Sequence, residues 1–500
     1  MRLPILVKEI EMKFFSKITA SLLLVAMLVS TVACGSVKND PADTTTAANT
    51  TTVADGTTAA TEPAETQDPT TVPEIAEVTY EGETFLVAND IIGDTKYSSD
   101  SMFNFEVTGD IYEDAVYQRT VLIEELFKIK LEEIKVGSTD VINTVMAGTD
   151  EYDLHTATLS NMNAVVNRKC VYDLYEIEEL HLNKAWWDQN AQQKCSFDGK
   201  LYYTFSDFVI TGVDNSRATY FNKSIHNELG LENLYQLVDE GKWTYTKMAE
   251  MAKLAVSDLN GDGQITTDDR MGIYNGNTTF YEAMLTGCDA ELVKMGEDGI
   301  PYFFWLNEQE RFVEVYQTLL STFMADNIYI KGGGELDNFK QDRTLFTIAV
   351  LSYAVKWRAE TIEFGILPVP KWDEAQETYL NVSPNGHALM IPVTVADTDR
   401  VGNILEALSY YSSKYYSEDA AMPAYFEKAL TAKSARDNES AKSLEIIHDN
   451  ICYTVKIVSN SLNFYSQFDN FNMNISSVIK ANEKVQKKLL DKAIAELGAG

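Results

Sequence analysis

The chain has 500 residues, with 75 acidic against 41 basic side chains and a formal net charge of −34. An acid excess of that size excludes a nucleic-acid partner, because neutralising phosphates takes a basic face. Apolar residues make up 45% and aromatic residues 11%, which suits a well-packed globular body.

The first element in the chain is a secretory signal. Met12 is a better start than Met1, since starting there removes a leader containing Glu9 and Glu11. Lys13 and Lys17 then form a positive n-region and Ile18 to Val32 an apolar h-region. Val32-Ala33-Cys34-Gly35 closes the segment like a lipoprotein cleavage site, with Thr31 where such sites usually carry Leu. On this reading residues 1–33 are removed, Cys34 carries diacylglycerol, and the protein is held on the extracellular face of the membrane without spanning it. An ordinary signal peptide or a signal anchor is the alternative, though the apolar run is shorter than the ~20 residues of a spanning helix. Residues 34–77 follow as a tether rich in Thr, Ala, Asp and Pro, whose composition cannot build a core.

Roughly 425 residues remain, more than one ordinary domain holds, so two lobes are expected. Glu83 to Asp90 reads as a buried strand, Asp110 to Lys130 as a helix, and Ile134 to Val136 as a second strand. Asp140 caps a helix that stops at Gly148, and Tyr152 to Thr156 is a third strand. Strand, helix, strand, helix, strand implies a parallel sheet with crossover helices. A second α/β unit begins with a strand over Ala218 to Phe221, and a helix follows Trp243-Thr244. Thr344 to Val350, Phe364 to Pro370 and Ala388 to Pro392 are extended, Arg400 to Tyr416 is helical, and Ser476 to Leu497 forms a long amphipathic helix.

In open parallel sheets, ligand groups stand beyond the carboxyl ends of the strands. By that rule Asn89 and Asp90 end the first strand, Asp153 and Thr156 end the third, and Asn385 and His387 lead into the strand from Ala388. These are candidate ligand contacts.

Asp258-Leu-Asn-Gly-Asp-Gly-Gln-Ile-Thr-Thr-Asp-Asp269 fits a twelve-residue calcium loop. Asp258, Asn260 and Asp262 hold positions 1, 3 and 5, and Gly263 permits the sharp turn at position 6. Gln264 offers its carbonyl, Ile265 points to the core, Thr266 acts directly or through water, and Asp269 stands where Glu is standard. A plain Asn/Gly/Asp turn is the bland alternative. A calcium ion here reads as structural, because extracellular calcium is millimolar and fills even a weak site. The run also resembles one half of a dockerin, but the second half is missing.

Of the five cysteines, Cys170, Cys195, Cys288 and Cys452 are widely spaced. They are either four buried small hydrophobes or include a Cys170–Cys195 pair. The five histidines, His155, His181, His226, His387 and His448, form no HExxH, and the chain has no GxSxG elbow, phosphate loop or GxGxxG. Enzymatic chemistry is not expected. Paired carboxylates of a glycan-active enzyme stay open in a chain this acidic.

Several segments together resemble the extracellular solute-binding proteins of bacterial ABC importers, the maltose-binding-like family, in the subgroup that carries the calcium-type loop. They are the lipobox and tether, Ala185-Trp186-Trp187-Asp188, Gly199-Lys200-Leu201-Tyr202-Tyr203, Tyr220-Phe221-Asn222-Lys223, Glu240-Gly241-Lys242-Trp243-Thr244, the Asp258 loop, Gly365 to Lys371, and Asp373 to Gln376. The resemblance implies a two-lobed, periplasmic-binding-protein-like α/β fold with hinge strands and a ligand cleft that closes. Lobe 1 would be 78–208 plus 388–434, and lobe 2 would be 210–383 plus 435–500. It places Tyr353 and Trp357 where the family stacks aromatics on sugar rings. It further implies a small solute such as an oligosaccharide, an ABC permease as partner, and a monomer. An amino-acid-derived ligand, a peptide or a polyamine is the runner-up.

Overall fold

The computed structural model describes residues 68–90, 101–332, 336–357, 360–430, 438–454 and 472–498, with 467 and 470. The signal segment, Cys34 and the tether up to residue 67 lie outside the described residues. Residues 68–77, read from sequence as the end of the tether, are tied to the folded body. Asp68 caps a short turn of helix over Pro69–Thr71. Lys184 Nζ lies 2.7 Å from Glu74 Oε1 and 3.2 Å from the Pro69 carbonyl, and the Ala185 amide donates to the Thr70 carbonyl at 3.0 Å.

Thirteen strands are described: β1 (Thr84–Asn89), β2 (Lys130–Lys135), β3 (Leu154–Thr158), β4 (Arg217–Asn222), β5 (Met271–Asn275), β6 (Val293–Met295), β7 (Pro301–Phe303), β8 (Tyr329–Lys331), β9 (Thr344–Val350), β10 (Phe364–Leu367), β11 (Asn381–Ser383), β12 (His387–Met390) and β13 (Ile451–Tyr453). They form two main sheets, ordered β12-β3-β1-β2 and β10-β4-β9-β5-β8.

In the first sheet β1 runs parallel to both β2 and β3, with Asn89 opposite Lys135 and Thr156, and β12 returns antiparallel along β3. The crossover from β1 to β2 is the helix Ile111–Phe127. Its expected start is correct: the Asp110 carboxylate accepts the Tyr112 and Glu113 amides at 3.1 and 3.3 Å. The next helix, Ser138–Met146, begins at Gly137, not at Asp140. The chain leaves β2 so close to this turn that Asp140 lies inside the first helical turn, where its charge still suits the helix dipole. Helices Thr398–Ser412 and Ala421–Leu430 pack on Ile111–Phe127 and complete this lobe.

In the second sheet β5 is parallel to β8 and β9, while β4 lies antiparallel between β9 and β10. All seven residues of β9 are buried, as expected for a strand covered on both faces. Trp243, Trp305, Phe312, Tyr316 and Phe346 are fully buried in this lobe. Helix Asn438–Asp449 packs on β10, and the terminal helix Ile475–Gly498 packs against Phe304–Asn307. Asn438–Asp449 also meets the first-lobe helix Ala421–Leu430, and His448 Nε2 lies 3.1 Å from Asp207 Oδ1, so this segment touches both lobes.

The chain passes between the sheets around Gly212 and again around Gly386. These crossings touch: a Cβ at Gly386 would lie 3.2 Å from the Gly212 Cα, and one at Gly212 would lie 2.6 Å from the Tyr453 hydroxyl. Phe205 and Tyr453 stack beside them, with centroids 3.7 Å apart. A side chain at Gly212 would push the Tyr453 hydroxyl aside, and one at Gly386 would crowd its neighbours by a few tenths of an ångström. The four cysteines 170, 195, 288 and 452 are free thiols, and all are buried, so Cys170 and Cys195 form no bond; Cys452 is not the small hydrophobe expected, since its sulfur meets Lys194 and Glu291.

Candidate ligand cleft

The carboxyl edge of the first sheet gathers polar side chains from three successive strand-to-helix turns. Asp90, at the end of β1, is 4% exposed. Its Oδ2 lies 2.9 Å from Ser138 Oγ and accepts from Asn161 Nδ2 at 2.8 Å. Ser138 opens the helix after β2, and Asn161 sits in the first turn of helix Leu159–Asn167 after β3. His155, in β3, places Nε2 3.1 Å from Ser138 Oγ and Nδ1 2.9 Å from the Ala88 carbonyl. Parallel pairing sets these distances, because it brings the ends of β1, β2 and β3 to one edge.

His387 completes the corner. It stands opposite Thr158 across the β12–β3 pair, and its amide donates to Thr211 Oγ1 at 3.0 Å. Thr158 in turn caps the helix that carries Asn161. Burial pushes the His387 imidazole down to about 4, against the pull of the Asp90 charge, and burial also lowers His155. Both rings are neutral at pH 7.

The other sequence candidates divide. Asn89 is buried in the sheet, its amide 3.3 Å from Glu133 Oε2, and Thr156 Oγ1 reaches Asn89 Oδ1 at 3.4 Å. Both border the Asp90 corner. Asp153 does not. The third strand starts two residues later than read from sequence, and Asp153 precedes it, at its amino and not its carboxyl end. Its carboxylate accepts the Leu86 amide at 2.7 Å and pairs with Arg400. Asn385 is exposed in the turn between β11 and β12.

Trp357 is 3% exposed and packs at 5.1 Å from Tyr220, 5.3 Å from Phe339 and 5.6 Å from Phe364. Its place is the core of the second lobe, not the cleft wall expected for it. Tyr353 is half-buried on helix Ser352–Lys356, with Lys356 Nζ 4.7 Å from its ring centre. Ser138 and Asn161 were not read from sequence. The only local hint was their place at helix starts, and their meeting at Asp90 depends on strand order.

No protein-family model and no curated protein matches the chain. Solved structures do. A cyclo/maltodextrin-binding protein complexed with maltotetraose gives a TM-score of 0.51 at 12% identity, over 84% of this chain and 97% of that one. UspC from M. tuberculosis gives 0.51 at 14% identity, over 83% and 99%. The chain has the two-lobed binding-protein fold. A cyclic alpha-maltosyl-1,6-maltose binding protein from Arthrobacter globiformis gives 0.50 at 12% identity, over 84% and 98%. At these identities the likeness is one of fold. Among the described residues, no helix is long and apolar enough to cross a membrane.

In this binding-protein fold the Asp258 loop joins helix Tyr245–Ala255 to β5. Ser257 and Arg270 close its base by two backbone bonds of 3.0 Å. Asp258 accepts the Gly261 and Gly263 amides at 2.7 Å each. Asn260 and Asp262 accept the Asp262 and Gln264 amides at 2.8 Å. Gly263 takes φ +82°, the left-handed turn foreseen for position 6. The donors are all oxygen, the chemistry that calcium takes, with Asp258, Asn260 and Asp262 at positions 1, 3 and 5 of the run. Asp269 is engaged differently: it accepts the Leu259 and Thr266 amides at 2.9 Å and the Thr266 hydroxyl at 3.1 Å. Those amides hold its carboxyl below the usual range. Among the described residues, no group of three His, Cys, Asp or Glu side chains stands at metal-ligating spacing. An ion here would therefore draw on Asn260, Thr266 and the Gln264 carbonyl besides the carboxylates.

A separate cavity of about 280 Å³ lies between helices Gln189–Cys195 and Asn277–Gly287, bordered by β6 and β13. Lys194 Nζ is 2.7 Å from Glu291 Oε1 and 2.8 Å from Cys452 Sγ there, so its charged groups already satisfy one another. The Asp90 corner, by contrast, holds no basic side chain paired with its carboxylate among the described residues.

Proposed function

We propose that this chain is the substrate-binding component of an ABC importer, anchored outside the membrane through lipid on Cys34, and that it captures an oligosaccharide by lobe closure. The observation that carries the reading is the Asp90 corner at the carboxyl edge of the first sheet, beside the closely packed crossings at Gly212 and Gly386. Hydrogen-bonding side chains around one carboxylate suit hydroxyl ligands, and two of the similar folds are named for binding maltodextrins or a cyclic maltosyl sugar. The mechanism is capture without covalent chemistry: the solute orders in the cleft, the lobes rotate about the crossings, and a permease takes the solute from the closed form.

Thermal unfolding of the full-length chain against mono- and oligosaccharides tests it. A ligand at 100 times its Kd adds about 2.7 kcal/mol. A melting shift with the sugar recovered intact is the expected result. Consumption of the sugar would mean an enzyme, and a shift only with amino acids, peptides or polyamines would change the ligand class.

The proposed calcium ion holds helix Tyr245–Ala255 against β5, where the two already touch: a Cβ on Gly272 would lie 2.5 Å from the Ala252 carbonyl oxygen. Calcium at 100 times its Kd should raise stability by about 2.7 kcal/mol, and a chelator should remove that gain. Asp258→Asn should abolish the calcium-dependent part. Equal melting temperatures in calcium and in chelator would reduce the loop to a plain turn.

A further inference from the structure

We propose that helix Ile475–Gly498 docks on an anionic bilayer surface through a face of lysines, and so orients the second lobe against the membrane. The surface lies outside the Asp90 corner and acts apart from solute capture.

The helix carries Lys480, Lys484, Lys487, Lys488 and Lys492 against Glu483, Asp491 and Glu496. That balance reverses the one in the whole chain, where 75 acidic side chains stand against 41 basic ones. Ile475, Ile479, Gln486 and Leu490 are its buried side, and the three apolar ones pack into the core of the second lobe. At 3.6 residues per turn the five lysines span roughly 140° on the opposite side. All five are exposed.

Pairing sets these lysines apart. Lys184, Lys194, Lys242, Lys247 and Lys294 each lie 2.7 to 2.9 Å from a carboxylate oxygen. On this helix, among the described residues, Lys492 pairs with Glu496 at 3.4 Å, and Lys480, Lys484, Lys487 and Lys488 have no ion pair. Four cations stand unpaired in a chain with acids to spare.

The apolar residues on the same helix supply a second, independent observation. Val485 is 60% exposed and Leu489 is 41% exposed, both at the border of the lysine arc. A face that meets only water gains nothing from them. On an interfacial helix such side chains enter the headgroup layer while lysines meet lipid phosphates.

Shape selects a bilayer over a soluble polyanion. A long anionic polymer would run past this helix onto acidic surface and be repelled. A flat bilayer meets one face, and salt screens charges more than about 8 Å behind it. The acid excess elsewhere then favours this orientation over any other. Lipid on Cys34, proposed above, would hold the protein near such a surface, but the docking is measurable without it.

The test is co-sedimentation with phosphatidylglycerol and with phosphatidylcholine vesicles. It uses the chain from residue 34 with Cys34→Ser, which removes both the signal segment and the anchor. Asp68–Gly500 forms a compact unit of its own, so this chain keeps its fold. It should bind phosphatidylglycerol vesicles despite its acidity, pass phosphatidylcholine vesicles, and be released by about 1 M salt. Lys480→Gln, Lys484→Gln, Lys487→Gln and Lys488→Gln together should weaken binding about a hundredfold or more with the melting temperature unchanged. The four Arg replacements should keep it within about threefold. Val485→Gln with Leu489→Gln should weaken it several-fold. No binding to phosphatidylglycerol vesicles, equal binding to both vesicle types, or binding that the four Gln replacements leave unchanged would each overturn the proposal. So would capture by a soluble glycerol phosphate polymer in preference to the vesicles, which would make the partner a polymer and not a membrane. None of these results depends on whether Cys34 carries lipid.

Discussion

Replacing Glu406 by Leu should cost the protein about 3–5 kcal/mol, one of the two largest effects expected of any single substitution in it. Glu406 is 1% exposed on helix Thr398–Ser412. Its carboxylate accepts both neighbouring indoles, Trp186 Nε1 at 3.0 Å and Trp187 Nε1 at 2.8 Å, together with the His181 amide at 3.2 Å. Burial raises its pKa, while the two indoles and His181 oppose the rise. Leu keeps the volume and removes every acceptor. Three buried N–H groups are then orphaned, at about 1–3 kcal/mol each, less the cost of burying the charge that is no longer there. Glu406→Gln retains one carbonyl oxygen and should cost about 1–2 kcal/mol. The check is the urea midpoint, with an unchanged slope showing that the same surface unfolds. A loss below about 1 kcal/mol for Leu would show that water reaches the indoles once the carboxylate is gone. The Trp186-Trp187 pair is thus an anchor of the first lobe, since Trp186 also meets Tyr410 edge-on at 4.9 Å.

Elements were legible where one local signal decided them. β1, β9 and β12 are mostly apolar runs, and the Asp110 and Thr244 caps mark helix starts that the structure keeps. β8, β11 and β13 were not legible. Each has three residues, and each exists through a partner far away in sequence, such as Val382 opposite Cys452. Helix Gln309–Met324 carried a readable stripe, Phe312, Val315, Tyr316, Leu319, Leu320 and Phe323, that the sequence reading passed over. The site followed the same divide. Asp90 was legible as a strand end. Ser138 and Asn161 were not, because two other strand ends had to be brought beside it. Asp153 failed because it stood at the amino end even of the strand as read, Tyr152 to Thr156, and ligand groups belong beyond the carboxyl end.

Trp357 shows how an aromatic residue after a strand is misread, and it makes the second large prediction. Trp357→Ala should destabilise the protein by about 3–5 kcal/mol, the cost of a large cavity among rings that cannot collapse into it. Tyr220, Phe339 and Phe364 come from β4, helix Asp337–Lys340 and β10, so the ring packs the helix against the paired strands β4 and β10. Tyr220 meets it edge-on at 73° and Phe364 at 74°, and such pairs add about 0.5–1.5 kcal/mol beyond buried area. Tyr353→Ala, at a half-buried position one turn earlier, should cost far less. Urea denaturation of the two variants side by side separates packing from ligand stacking. If the ring were instead a platform for sugar, Trp357→Ala would lose affinity with stability changed by less than about 1 kcal/mol. That result would put Trp357 in the cleft and reopen the choice of site, since a sugar stacked there would be held by the second lobe and not by Asp90 in the first.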